Sequence, residues 1–159
     1  MWRGLITKSI QAEWGEYFDT EGEWQTYTTQ DIHYSDAYYF ILHPESADKL
    51  TNTIYDIIVN KLKVRYTSSV WDCDDYTDMA QALAKYFAYK SGASQGLGIG
   101  KIGIHWGNTG HSMCFLPIMT DTIECYLYEP QLTFIKTAEE YIEYKNTTED
   151  AFKIHFLDM

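Results

Sequence analysis

The sequence predicts a single α+β domain. Two stretches of helical apolar spacing in its first half, 44–63 and 73–91, are followed by extended segments separated by short polar turns. Helices and strands segregated along a chain in this way pack as one layer of each around a common core. With 159 residues, 45% of them hydrophobic and 22% charged, and no repeat or Pro-rich linker, the whole of 1–159 is expected to close around that one core.

Residues 1–43 mix Trp14, Tyr17, Phe18, Trp24 and Tyr27 with acids in no single period, ending in Tyr38 to Leu42, a short strand expected to be buried. Pro44 suits the first position of a helix, and Ala47, Leu50, Ile54, Ile57, Ile58 and Leu62 recur at helical spacing over 44–63. Asp72 is the expected N-cap of a second helix that stops near Gly92 and presents Tyr76, Ala80, Leu83, Ala84 and Phe87 on one face. Extended segments follow at 101–106, 111–118, 123–129 and 132–136, then a helix at 137–145 and a strand at 152–157.

Composition excludes several classes. A formal net charge of -11 opposes sequence-independent binding of nucleic acid, which needs dense Lys and Arg. No apolar run is long enough to cross a bilayer, and Met1 to Ile6 lacks a signal peptide's apolar region, so no membrane and a cytoplasmic location are expected. Cys73, Cys114 and Cys125 are odd in number and lack CxxC spacing, which predicts free thiols rather than a disulfide framework or a zinc site.

One constellation carries chemistry. Cys73 opens the second helix, Gly110-His111-Ser112 opens one strand, and Tyr128-Glu129-Pro130-Gln131 closes the next. A hairpin turning at Met119-Thr120-Asp121 sets His111 opposite Glu129, Met113 opposite Leu127, Phe115 opposite Cys125 and Pro117 opposite Ile123. The apolar face so formed is expected to pack on the helix of Cys73. Cys73 would then be a nucleophile, His111 its base and Glu129 the group that orients the imidazole. Cys114 and Cys125 read as structural, and His105 is a rival base without an evident carboxylate partner.

Acids crowd the thiol: Asp72, Asp74, Asp75 and Asp78 would raise its pKa unless offset. Asp74 and Asp78 share a helix face displaced from Cys73, and a hard cation such as calcium held there would offset them. Acids in a first turn also simply complement the helix dipole.

These segments, Trp71-Asp72-Cys73-Asp74-Asp75-Tyr76 with the His and Glu motifs, resemble papain-like and transglutaminase-like cysteine proteases, above all the C-terminal protease domain of fungal galactose-binding agglutinins. The resemblance spans about 70–131 and implies a papain-like/transglutaminase-like core, the helix bearing the nucleophile packed on an antiparallel sheet. It further implies calcium activation through Asp74 and Asp75, which with Asp78 make the expected cation ligands. The chain departs from the pattern in having no Gln between Lys63 and Trp71 to complete an oxyanion site. The expected function is a thiol hydrolase, a cysteine peptidase or amidase, acting on a peptide or protein substrate through an acyl-enzyme on Cys73. The alternative is an inactive papain-like fold serving as an acidic binding or inhibitory module.

Overall fold

The computed structural model describes residues 16–18, 24–26, 38–68, 70–106, 109–146 and 152–158. Most of the first 37 residues, including His33 and the aromatic residues Trp14 and Tyr27, lie outside this set. In chain order the elements are β1 (Glu16–Phe18), β2 (Trp24–Thr26), β3 (Tyr39–Phe40), α1 (Pro44–Tyr55), α2 (Cys73–Lys90), β4 (Gly96–Leu97), β5 (Gly100–Trp106), β6 (Thr109–Met119), β7 (Ile123–Glu129), β8 (Phe134–Lys136), α3 (Ala138–Tyr144) and β9 (Phe152–Asp158). The α+β class is therefore correct. A five-stranded antiparallel sheet in the order β8-β7-β6-β5-β9 forms the centre, and the pairs β1-β2 and β3-β4 stand apart from it.

The first helix begins as expected, with Pro44 inside its first turn. Its end differs. Beyond Tyr55 the chain widens into a π-helical turn, Asp56–Lys61, that carries Ile58 into the core and leaves Leu62 exposed. Added width resets the phase of the apolar stripe, which a strict period of 3.6 does not anticipate. The expected strand at 38–42 is shorter than its apolar run, because only Tyr39 is buried while Tyr38 and Phe40 are exposed.

The second helix matches its caps. Asp72 and Asp75 form a capping box, with the Asp72 N–H donating to Asp75 Oδ2 at 3.2 Å. At the other end Gly92 takes φ 81°, and the Gly92 and Ala93 N–H groups donate to the carbonyls of Tyr89 and Ala88, a Schellman closure that only a residue at ease with positive φ completes cheaply.

The hairpin register is two residues away from the expected one. Met119 pairs with Ile123, Pro117 with Cys125 and Phe115 with Leu127, so the turn is Thr120-Asp121-Thr122 rather than 119–121. The Thr120 N–H donates to Thr122 O at 2.9 Å and its hydroxyl bonds Glu124 Oε1 at 2.7 Å, which fixes the later turn. Continuing that register one step beyond the Cys114–Tyr128 pair puts Met113 opposite Glu129, and His111 becomes its diagonal neighbour. A two-residue shift keeps every side chain on its own face.

The helices cover the other face. Cys114, Leu116, Ile118 and Tyr128 pack with Ala47, Ile54 and Ile58 of the first helix and its extension, and with Tyr76, Ala80 and Ala84 of α2. Met113, Phe115 and Leu127, expected on the helix side, are equally buried on the opposite side. Both faces of this hairpin are apolar, so parity alone could not choose between them. Tyr128 reaches across the core to donate to Thr51 O at 3.4 Å, tying β7 to α1.

Candidate functional site

Cys73 is the first residue of α2, half-buried, and its carbonyl accepts the Thr77 hydroxyl at 2.7 Å. The capping box fixes the entry of the chain into that helix, and burial of Tyr76 and Ala80 fixes which way its first turn faces. The thiol thereby comes against the start of β6, where Cys73 Sγ accepts the Ser112 N–H at 3.3 Å.

The residue before Ser112 is His111. Its Nε2 meets Glu129 Oε2 at 2.5 Å, with side-chain exposures of 15% and 6%. A buried carboxylate needs such a partner, and this one also accepts the Gln131 N–H at 3.4 Å through Oε1. The structure thus brings His111 and Glu129 into direct contact diagonally across two strands, and sets the Cys73 thiol on the backbone next to His111. Strand alternation turns His105 to the helix side of the sheet, over Gly110, where a Cβ would meet His105 Nε2 at 2.8 Å.

The acids around Cys73 are occupied separately. Asp75 belongs to the capping box, and Asp78 pairs with Lys101 at 2.8 Å. Hydrogen bonding with the Asp72 side chain holds the Asp74 carboxyl below the usual carboxylate range. What gathers at one point is Asp72, Cys73 and Asp74, whose ligand atoms lie within 4.8 Å of one another. Two carboxylates and a soft sulfur suit calcium poorly, since calcium takes six to eight oxygens.

Three further side chains surround the thiol and the ion pair. Trp71 packs edge-on against Tyr76 with ring centroids 6.0 Å apart, and its indole Nε1 is buried without a hydrogen-bond partner among the described residues. The Ser112 hydroxyl is likewise buried and unpartnered. Tyr141 of α3 is fully buried, and its phenol is pushed up first by burial and then by the negative charge of Glu129. Adjacency to His111 could have drawn attention to Ser112; Tyr141 left no local signal.

An imidazole oriented by a carboxylate beside a thiol can move protons or ligate polar groups, and geometry alone does not choose between these uses. Comparison with known proteins shows which structures share the fold. A structure described as Polyporus squamosus lectin bound to the human-type influenza-binding epitope Neu5Aca2-6Galb1-4GlcNAc superimposes with a TM-score of 0.68 at 13% identity, over 100% of this chain and 49% of that one. The chain shares its fold with about half of that lectin chain. A second structure, described as a PSL1a-E64 complex, superimposes with a TM-score of 0.62 at 15% identity, over 82% of this chain and 44% of that one. No protein-family model matches the chain, and no curated protein matches it by sequence. The chain spans about half the length of the chains it matches.

These findings correct the expectation of a papain-like or transglutaminase-like cysteine protease. A matching structure is that of a lectin and no protein-family model matches, so the thiol-hydrolase function, the peptide or protein substrate and the description of Cys73, His111 and Glu129 as a hydrolase triad are withdrawn. Three short motifs had carried that resemblance, and a thiol, an imidazole and a carboxylate in sequence order do not by themselves fix a reaction. Among the described residues no helix is long and apolar enough to cross a membrane.

Proposed function

We propose that this chain is a carbohydrate-binding module. The observation that carries the reading is the likeness along its whole length to a lectin chain whose structure is described as bound to Neu5Aca2-6Galb1-4GlcNAc. The expected alternative to an enzyme, a binding module, survives in this form; its inhibitory version has no support.

Cys73, His111 and Glu129 are the locus we assign to binding within this reading. Sugar hydroxyls both donate and accept, so they are held by paired groups of opposite hydrogen-bonding character fixed in advance by their neighbours. The His111–Glu129 pair is such a group, held at 2.5 Å at the end of the sheet. Trp71 and Ser112, each with an unsatisfied buried polar atom beside Cys73, supply the further donors that a bound hydroxyl would satisfy. Buried polar atoms left without partners cost about 1–3 kcal/mol each, a penalty a ligand would relieve.

Titration calorimetry of this chain alone with the trisaccharide tests the reading. Saturable binding at a Kd of about 1 mM or tighter, roughly -4 kcal/mol, is expected, weakened by His111→Ala. Absence of binding to this glycan and to its component sugars refutes it. Unchanged affinity in His111→Ala and Glu129→Ala refutes the assigned locus.

A further inference from the structure

A cleft lies away from Cys73, where the end of α2 turns back into β4. Its volume is about 460 Å³, within the usual span of small-ligand sites, and Tyr38, Lys85, Tyr89, Ser94, Gln95 and Gly96 are among the residues that line it. The fold explains why these residues meet. Lys85 and Tyr89 are four apart on α2 and so share a face. The Schellman turn at Gly92 folds Ser94 and Gln95 back beside them, and the parallel pairing of Tyr39 with Gly96 brings Tyr38 alongside.

The chemistry of the lining is specific. Tyr38 and Tyr89 are 57% and 76% exposed among the described residues and present large apolar rings at the cleft. Rings of this kind supply rigid apolar contact with a polar tip, suited to the C–H face of a pyranose and its hydroxyls. Lys85 is exposed and forms no ion pair among the described residues, in a chain whose net charge is -11. An ammonium in that setting stands out as the local site for an anion. The competing influence is the negative end of α2, and it is muted because the Phe87, Ala88 and Tyr89 carbonyls are already taken by the N–H groups of Ser91, Ala93 and Gly92.

We propose that this cleft binds a carboxylate-bearing sugar, with the pyranose ring against Tyr89 and Tyr38 and the carboxylate on Lys85. Ser94, Gln95 and the Gly96 backbone provide hydrogen bonds to the remaining hydroxyls. The inference rests on the carbohydrate-binding reading and gives it a second place on the molecule and an acidic class of ligand.

Amide-resolved NMR titration of the full chain with methyl α-sialoside and, separately, methyl β-galactoside tests it. The sialoside is expected to shift the amides of Tyr89 and of Ser94 to Leu97. Lys85→Gln should weaken the sialoside about tenfold or more, the loss of one charge-assisted hydrogen bond, and leave the galactoside nearly unchanged. Tyr89→Ala should weaken both by up to about tenfold. Both side chains are exposed, so neither substitution threatens the fold. Sugar-induced shifts confined to the surroundings of His111 and Glu129 would overturn this inference and leave the carbohydrate reading standing, as would sialoside binding indifferent to both substitutions. No shifts with either sugar would remove both.

Discussion

Replacing His111 and Glu129 singly and together by Ala measures how strongly the site is organised before any ligand arrives. Nε2 and Oε2 lie at 2.5 Å with 15% and 6% of their side chains exposed, so the contact is short and largely removed from water. A hydrogen bond to a charged group in such surroundings contributes about 1.5–3 kcal/mol, against about 0–1 kcal/mol for an exposed ion pair. Removing Glu129 also loses the weak acceptor of the Gln131 N–H, but that loss occurs in both backgrounds and cancels in the cycle. Urea unfolding of the four proteins at pH 7 should therefore yield a coupling of about 1.5–3 kcal/mol, provided the m-values agree. Coupling below about 0.5 kcal/mol would refute the claim that the carboxylate holds the imidazole, and with it the preorganised locus.

Two further outcomes check the fold around that pair. Leu116→Ala, at a fully buried position between the sheet and the two helices, should destabilise by about 3–5 kcal/mol and lower Tm by roughly 6–20 °C, whereas Leu132→Ala in the exposed turn after β7 should change stability by less than about 1 kcal/mol. Thiol labelling of the native protein should modify Cys73 quickly and leave Cys114 and Cys125 slow until unfolding, since only Cys73 is not fully buried. Burial pushes the Cys114 thiol well above its ordinary 9.0, so its contribution to stability is present below about pH 9 and is lost as pH rises beyond that value. Cys114 labelling as fast as Cys73 at pH 8 would contradict the placement of β6 against α2.

Local rules located most elements because local chemistry decides them. Pro44, the Asp72–Asp75 box and Gly92 set helix ends within a residue or so of expectation, and β7 occupies the run 123–129 that alternation assigns to it. What failed was non-local. The hairpin pairing moved by two residues because Thr120 bonds both Thr122 and Glu124, a preference invisible in apolar alternation. Choice of the helix-covered face was invisible for a different reason: Cys114, Leu116 and Ile118 are as apolar as Met113 and Phe115, and only the docking of Ala80 and Ala84 distinguishes them. The His111–Glu129 contact survived the register error because diagonal neighbours across antiparallel strands remain within reach of long side chains.

Function was less legible than geometry, for a reason contained in the same residues. A carboxylate that fixes an imidazole reduces the entropy lost when that imidazole meets a partner, and the saving is the same whether the partner is a reacting thiol or a sugar hydroxyl. Sequence order of Cys73, His111 and Glu129 therefore records preorganisation and not the use made of it. Discrimination must come from what surrounds the pair. Here the surroundings are two buried donors without partners among the described residues, Trp71 Nε1 and the Ser112 hydroxyl, with Asp75 held in the capping box and Asp78 on Lys101. Unsatisfied donors at fixed positions favour a ligand rich in acceptors over one that offers a single carbonyl, and that asymmetry makes hydroxyl-rich ligands the sharper test of this site.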